Sequence, residues 1–289
     1  MAAPTNTTVA ADLVPAISVD YSSRIKANID QLREMLGISE MIALPAGNTI
    51  NIYSITKHNT PAQAGEGEDI ALTEIKRTVA KTLTLTINKY RKNTTAEAIQ
   101  KVGREIAINA TDAKFISEIQ KDIKKAFFAS VKTGTGTATA GANLQAQLSN
   151  LWAALQVGFE DIDADPIYFV NPADIAAYLG GAAISTQTAF GMSYVEDFLG
   201  LGTVVITPEV TATNVWATAK QNLLGYYAPI GGDVAASFGL TADETGMIGM
   251  MHDVVTKNAS IDTLAMSGVV FAPEVLSLVY KGIITPAAG

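Results

Sequence analysis

Histidine and cysteine, two residue types that often perform acid–base, nucleophilic or metal chemistry, are scarce in this chain of 289 residues. There are two histidines, His58 and His252, and no cysteine. The absence of cysteine excludes disulfides, thiolate zinc sites and cysteine nucleophiles. The histidines lie far apart in sequence, and no other potential ligand stands at a spacing typical of a metal site. We therefore expect no metal site, no cofactor and no enzymatic activity.

Glycine-rich and acidic segments do not match known ligand-binding motifs either. A phosphate-binding loop that starts at Gly136 would need Gly-Lys-Ser/Thr at 141–143, where the chain has Gly-Ala-Asn. The segment 65–67 could open a dinucleotide-binding fingerprint, but Ile70 stands where the third glycine is required. The acidic run 160–165 lacks the glycine and the final glutamate of an EF-hand loop, so a solvated turn explains it better.

The elements around these segments are more informative, above all residues 46–93, which we predict to form a long β-hairpin. One strand covers 49–56 and the return strand covers 78–90, where apolar residues alternate with threonines at period two. An isolated two-stranded ribbon is marginally stable in water, so this hairpin must pack on its own chain or on another subunit. We expect contacts with another subunit from Ile52, Tyr53, Glu66, Glu68, Leu83, Leu85, Ile87 and Lys89.

The remaining pattern predicts an α+β fold. Residues 1–20 are expected to form an extended or poorly ordered arm, and 21–36 show helical spacing of apolar residues. Helices are also predicted over 144–157 and over 112–132, the latter with an apolar stripe of Phe115, Ile116, Ile119, Ile123, Ala126 and Phe127. The small residues of 133–142 indicate a domain boundary. Helices and strands then follow in mixed order, which favours α+β over a doubly wound α/β sheet.

Charge is distributed unevenly along the chain. Residues 1–75 have a net charge of −5, residues 76–132 of +8 and residues 133–289 of −11. Either a solvated basic helix lies beside an acidic domain, or the basic part of one copy meets the acidic part of another. Nucleic-acid binding is less favoured because the basic segment lacks interleaved aromatic residues. No apolar run reaches the roughly 20 residues of a membrane span, and the N-terminus lacks a signal-peptide pattern.

Four short segments follow the arm, hairpin, long helix and linker in order. They are 167–179 (IYFVNPADIAAYL), 190–194 (FGMSY), 198–200 (FLG) and 243–249 (DETGMIG). Through nearly its whole length the chain resembles the major capsid proteins of tailed bacteriophages with the Hong Kong 97-like fold, most closely those of phages of Gram-positive bacteria. The order and spacing of the segments carry the resemblance.

The resemblance implies the parts of that fold. Residues 1–45 would be the N-terminal arm with a short helix, and 46–93 the E-loop, an extended hairpin that lies across a neighbouring subunit. Residues 94–142 would form the peripheral domain with its spine helix and linker. Residues 143–250 would be the axial domain, and 251–289 would return to the peripheral domain.

The implied function is self-assembly, as hexamers and pentamers, into an icosahedral head that encloses the double-stranded DNA genome. Implied partners are a scaffolding protein, a portal protein and possibly a decoration protein, with packaged DNA held without sequence-specific binding and no membrane. The protein would assemble in the host bacterial cytoplasm and reside in the virion. Lysines 57, 76 and 81 lie in or beside the hairpin, but no motif selects one for a covalent crosslink. Two alternatives stay open: an encapsulin-like shell around protein cargo, and an α+β binding protein or enzyme.

Overall fold

A computed structural model describes residues 41–58, 74–104, 107–108, 111–160, 164–178, 186–189, 192–242 and 246–285. The predicted arm and first helix lie outside the described residues, as do Glu66 and Glu68. The described helices are α1 (Ala96–Val102), α2 (Thr111–Val131), α3 (Leu144–Gly158), α4 (Pro172–Tyr178) and α5 (Gly232–Phe238). None of these helices is both long and apolar enough to cross a membrane.

The strands in the described part of the chain form four sheets. The strands are β1 (Met41–Ala43), β2 (Thr49–His58), β3 (Glu74–Thr84), β4 (Asn88–Thr95), β5 (Gly136–Thr137), β6 (Pro166–Val170), β7 (Gln187–Ala189), β8 (Met192–Val195), β9 (Thr203–Ile206), β10 (Asn214–Ala219), β11 (Leu223–Tyr227), β12 (Thr241–Ala242), β13 (Ile248–Val255), β14 (Ser260–Ser267), β15 (Val269–Pro273) and β16 (Tyr280–Ile283). The sheet orders are β5-β16-β10-β6-β9-β8-β7, β12-β13-β14-β4, β1-β11-β15 and β2-β3.

The seven-stranded sheet is covered on both faces at its centre. Residues 167–170 of β6 are all buried, which is typical of a strand that packs on two sides. Tyr168 and Val170 belong to the core formed with α3, whereas Ile167 and Phe169 belong to the core formed with α2. The hydroxyl of Tyr168 donates a hydrogen bond to the Leu201 carbonyl, and burial raises the pKa of this tyrosine.

Helix α3 packs on this sheet through one stripe. Its N-terminus is capped by Asn143, whose side-chain oxygen accepts a hydrogen bond from the Ala146 N–H at 2.8 Å. Leu148, Leu151 and Leu155 follow at spacings of three and four and are fully buried. The helix predicted over 144–157 is confirmed.

Helix α2 joins the seven-stranded sheet to the three-stranded sheet through aromatic contacts. The ring of Phe127 lies edge-on to those of Phe128, Phe169 and Phe271, with centroids 5.0 to 5.8 Å apart. Phe169 comes from β6 and Phe271 from β15, so one helix holds both sheets. Helix α2 is 21 residues long.

The predicted apolar stripe of α2 is confirmed at Ile119, Ile123 and Phe127, which are buried. It is wrong at Ala126, which is exposed, while Phe128 is buried instead. Residues spaced by four drift around a helix of 3.6 residues per turn. This drift brings Phe128 to the core and turns Ala126 away from it.

The predicted hairpin is present, but its return strand is shorter than predicted. Strand β3 ends at Thr84, and β4 starts at Asn88 and pairs with β14 instead of β2. The single return strand predicted over 78–90 is therefore wrong. Leu85 explains the break, because it is fully buried and its backbone bonds to Gly47 and Asn48, which closes the base of the hairpin.

Strand pairing changes from one sheet to another within residues 143–250. Strand β11 pairs with β1 and β15, and β13 lies in the sheet of β4, so 223–250 does not extend the seven-stranded sheet. Strand β16 returns to that sheet between β5 and β10. The chain crosses between these layers at two 3₁₀ turns, Lys220–Asn222 and Leu276–Leu278. The domains and their boundaries stay a prediction.

Candidate functional site

The inner half of the β2–β3 hairpin packs on the body of its own chain. Ile52 is buried against Ala272 and Leu276, and Leu83 and Tyr226 pack against the same small cluster. At the very base, the Gly47 N–H donates to the Leu85 carbonyl at 2.8 Å and the Leu85 N–H donates to the Asn48 carbonyl at 3.0 Å. These contacts fix the base, so the hairpin is not an isolated ribbon.

The outer half of the hairpin begins at a β-bulge. Ile52 pairs with Lys81 but Tyr53 pairs with Val79, which leaves Ala80 as the extra residue. Residues 74–80 of β3 are all exposed. A bulge bends its strand and increases the local twist. Here it marks the point at which the hairpin changes from packed to exposed.

One face of this outer half is both apolar and cationic. Ile75, Arg77 and Val79 alternate along β3 and so lie on one face, and Tyr53 joins them as the pairing partner of Val79. Ile75 and Val79 are 67% and 53% exposed. The Arg77 guanidinium lies over the Tyr53 ring. Thr78 lies on the opposite face. We call the set Tyr53, Ile75, Arg77 and Val79 the hairpin outer face.

The structure separates the eight residues predicted to contact another subunit. Glu66 and Glu68 lie outside the described residues, and Lys89 is exposed on β4. Tyr53 is half-buried on the outer face. The other four pack on their own chain: Ile52 and Leu85 are buried, Leu83 is half-buried against Ile52, and Ile87 is half-buried against the cluster of Ile230, Leu240 and Met266. Leu85 is fully buried within its own subunit, and the contact role of the eight residues stays a prediction.

The sequence prediction missed Ile75, Arg77 and Val79. Val79 lies within the predicted return strand, but Ile75 and Arg77 precede it, because that strand was predicted to start at Thr78. The bulge at Ala80 then reverses which residues face the body. Periodicity alone cannot reveal that reversal, because the bulge depends on the pairing partner.

The hairpin and the strand that follows it, β4, are tied to opposite ends of α2. The Lys81 Nζ donates to the Thr133 hydroxyl at 3.0 Å, just beyond the C-terminal end of α2, and partial burial lowers the pKa of Lys81. Near the other end, Asp112 of α2 accepts hydrogen bonds from Lys92 of β4 and from Nε2 of His252 in β13. Asp112 and His252 are buried. The strand that leaves the hairpin is therefore fixed to the start of the helix.

The structure places the two histidines in different strands, and one of them forms a hydrogen bond with a carboxylate. His252 serves the Asp112 contact, and His58 is the last residue of β2. Within the residues that the structure describes, no three His, Cys, Asp or Glu side chains gather as metal ligands. A cleft of about 300 Å³ lies where the hairpin meets β11 and β15, lined among others by Tyr53, Arg77, Tyr226 and Glu274. Burial and the nearby Glu274 raise the pKa of Tyr226.

Comparisons with known proteins find similarity in structure and not in sequence. No protein-family model and no curated protein matches the chain. The holo-SrpI encapsulin complex from Synechococcus elongatus PCC 7942 is similar at 11% identity and a TM-score of 0.53, with 87% of this chain and 86% of that chain covered.

Two capsids give matches of the same quality. The capsid of the native GTA particle is 13% identical with a TM-score of 0.53, and the match covers 88% of this chain and 90% of that chain. The capsid of Myoviridae phage XM1 is 8% identical with a TM-score of 0.52, and the match covers 85% and 90%. Identities this low establish the fold alone: the chain has the Hong Kong 97-like capsid fold that phage capsids and encapsulins share.

Proposed function

We propose that this protein is the major capsid protein of a tailed bacteriophage, which assembles with copies of itself into a closed head around double-stranded DNA. The observation that carries the proposal is the hairpin outer face. It projects apolar Ile75 and Val79 beyond the packed base, and no described part of its own chain covers them. Exposed apolar surface of this kind marks interaction sites. In a shell subunit the partner is the neighbouring copy.

The charge of the chain supports contact between unlike parts of two copies. Arg77 lies on the hairpin outer face and Lys76 on the same exposed strand, within a segment of net charge +8. Residues 133–289 have a net charge of −11. Opposite potentials favour docking of one region onto the other and disfavour contact of like with like. Such a contact is heterologous, and repeated around a closed path it builds rings and shells.

The finer parts of the proposal follow from the capsid assignment. The hairpin would act as the E-loop, α2 as the spine helix, and the segment 1–45 as the N-terminal arm with its short helix. Hexamers and pentamers would form an icosahedral head in the bacterial cytoplasm with the help of a separate scaffolding protein and a portal protein. We further propose that the phage infects Gram-positive bacteria and that a decoration protein can bind the head.

The direct test is size-exclusion chromatography of the purified protein over a range of concentrations, followed by negative-stain electron microscopy. We expect rings, tubes or closed shells, and the fraction of the protein found in them should increase with concentration. A subunit that stays monomeric at every concentration contradicts unaided assembly. The same experiment with the scaffolding protein co-expressed then decides whether assembly needs a helper.

A shell around protein cargo is the second candidate, because the similarity to an encapsulin is as strong as that to capsids. The contents of native particles discriminate between the two functions. Particles treated with nuclease and then opened should release protected double-stranded DNA if the protein is a phage capsid. A copurifying protein in fixed ratio, without DNA, would favour the cargo compartment.

A further inference from the structure

A pocket of about 380 Å³ opens between the first residues of α3 and one face of α4, and none of its lining residues belongs to the hairpin. Its volume falls within the range typical of small-molecule sites. Leu144, Ala177 and Ile284 supply apolar surface, and Tyr178 supplies an aromatic ring. Among the lining residues that the structure describes, Asp174 is the only one with a charged side chain. The pocket therefore combines an apolar wall with a single negative charge.

Helix α4 brings the carboxylate and the aromatic ring to the same space. Residues three and four positions apart lie side by side on a helix, so Tyr178 lies one turn from Asp174 on the same face. The Tyr178 ring also lies edge-on to the ring of Phe198, with centroids 5.8 Å apart. This contact restricts the ring to one position.

The Asp174 carboxylate is held in place but is only partly satisfied. Its two oxygens share the backbone N–H of Thr213, at 3.1 and 2.9 Å. Thr213 has a φ of 68°, in the left-handed region that β-branched residues rarely adopt, and such a conformation persists only where its surroundings fix it. A carboxylate offers about four acceptor sites, so one N–H leaves most of them available.

No positive side chain neutralises Asp174 in the part of the chain that the structure describes. No Lys, Arg or His of that part forms an ion pair with Asp174, and none lines the pocket. Asp174 is half-buried, so water reaches its charge only from the open side. An organic cation in the pocket would supply the missing charge and lay its carbon chain against the apolar wall. A ring beside that cation adds a cation–π attraction.

The start of α3 does not make the pocket an anion site. Helix N-termini attract anions through their free N–H groups. In α3, however, the Asn143 side chain already accepts the Ala146 N–H at 2.8 Å. An anion in the pocket would also meet the Asp174 carboxylate, which repels it. The fixed charge therefore favours a cation.

We propose that this pocket binds an organic ammonium group on a short apolar chain, with Asp174 as its counter-ion and Tyr178 as the ring beside it. A free polyamine and a lysine side chain of a partner protein share this chemistry. The pocket belongs to the single subunit. The inference thus goes beyond shell assembly and does not depend on it.

NMR titration of the purified protein with n-butylammonium tests the site, because this ion reproduces the side chain of lysine. The neutral comparison is 1-butanol, which has the same carbon chain and no charge. We expect saturable binding of butylammonium and affinity for butanol that is lower at least about tenfold, the ratio that corresponds to 1.4 kcal/mol. Equal affinities overturn the proposal, and so does the absence of saturable binding of butylammonium.

Two variants locate the binding. Asp174→Asn removes the charge but keeps an oxygen that can accept the Thr213 N–H, and the affinity for butylammonium should fall at least about tenfold. Asp165→Asn removes the same charge at an exposed position outside the pocket and should bind like the natural sequence. Equal affinities of the two variants, with equal urea unfolding midpoints, overturn the proposal. If Asp174→Asn does not fold, the comparison of butylammonium with butanol decides.

Two further probes distinguish the sources of the ammonium group. Spermidine represents a free polyamine, and the blocked peptide acetyl-Leu-Lys-Leu-amide represents a lysine of a partner protein. The probe that binds more tightly than butylammonium, and loses this affinity in Asp174→Asn, identifies the source. If neither probe is bound, the pocket does not take this class of ligand from either source and the proposal fails. Shell assembly is measured separately by electron microscopy, so failure of this site leaves the proposed function intact.

Discussion

The guanidinium carbon of Arg77 lies 3.6 Å from the ring centroid of Tyr53 on the opposite strand of the hairpin. Tyr53 pairs with Val79, so Arg77 is its diagonal neighbour on the same face. A cation over an aromatic ring contributes about 0.5–1 kcal/mol at an exposed site. The contact lies directly beyond the bulge, where it holds the outer half of the hairpin in a defined orientation. The apolar and cationic groups of this face are therefore presented together.

Val79→Asp is expected to prevent assembly without unfolding the subunit. Val79 is 53% exposed, so a carboxylate there remains solvated in the free subunit. In an assembled contact it would be desolvated and would repel the acidic surface of the neighbour. Particle yield by size exclusion should fall at least about tenfold, the ratio that corresponds to 1.4 kcal/mol, and the urea midpoint should stay within error.

Thr78→Asp is the matched control for that experiment. Thr78 is the preceding residue on the same strand, is exposed, and lies on the opposite face of the hairpin. It should assemble much more efficiently than the Val79 variant. If both variants lose assembly to the same extent, the effect belongs to added charge in general and not to the hairpin outer face.

The long helices were predictable from the sequence because their determinants are local. The helix predicted over 144–157 was confirmed, and its cap at Asn143 and its leucine spacing are visible in the printed residues. The hairpin was predictable as a pair of strands, but the position at which it leaves the body was not. That position depends on the bulge at Ala80 and on burial of Leu85 against other parts of the chain. Alternation runs through both sites without a break, so tertiary contacts alone decide there.

Leu85 and Leu83 should therefore behave differently although they belong to the same alternating run. Leu85 is fully buried, and Leu85→Ala is expected to lower the free energy of unfolding by about 2–5 kcal/mol. Leu83 is half-buried at the edge of the Ile52 cluster, so Leu83→Ala should cost clearly less. Urea unfolding of the two subunits under identical conditions gives both values. Equal losses would mean that the hairpin base packs more loosely than its geometry indicates.

Asn222 is expected to be one of the most sensitive polar positions. Its buried side chain accepts a hydrogen bond from the Val275 N–H at 2.8 Å and donates to the Val275 carbonyl at 3.1 Å. It thereby joins the two points at which the chain crosses between layers. Asn222→Ala removes these bonds and leaves the partly buried Val275 N–H without this partner, at a cost of about 2–4 kcal/mol in unfolding free energy.

Asn150→Ala is the control for Asn222→Ala in the same urea experiment. The Asn150 side chain also donates to backbone carbonyls, of Thr139 and Ala140, but at longer distances and on the exposed surface. Water replaces such bonds at little cost, so the change should stay below about 1 kcal/mol. A loss as large as that of Asn222→Ala would show that burial is not the cause.

Acidification should weaken the subunit in part through Asp262. A hydrogen bond from Asn93, together with the hydrogen bonds and charge of Arg91, lowers the pKa of Asp262. A carboxyl whose pKa is lower in the folded state stabilises the fold above its unfolded pKa of about 3.9. That stabilisation is lost as the pH falls through the folded pKa. The difference in urea midpoint between the natural sequence and Asp262→Asn should thus be larger at neutral pH than in strong acid. A difference that does not vary with pH would remove Asp262 from the acid response.

Asp112 and Lys92 should be energetically coupled through the buried contact that they form together with His252. Asp112 has no exposed side-chain surface, and Lys92 is 17% exposed. Asp112→Asn removes the negative charge that faces Lys92, and we expect a loss of about 3–5 kcal/mol in unfolding free energy. Lys92→Met in the same background should restore part of that loss, because the buried positive charge is then also gone. A double-mutant cycle is expected to give a coupling energy of about 1–3 kcal/mol.

Glu118→Gln provides the surface comparison for Asp112→Asn. Glu118 lies on the same helix and pairs with Lys121 and Lys114 at 2.9 and 3.4 Å, but all three side chains are exposed. Solvent screens such pairs, so the urea midpoint should barely change. A coupling energy near zero between Asp112 and Lys92, alongside an unchanged Glu118 variant, would mean that the buried contact is no stronger than the surface one. In that case apolar packing alone fixes the strand leaving the hairpin to the start of α2.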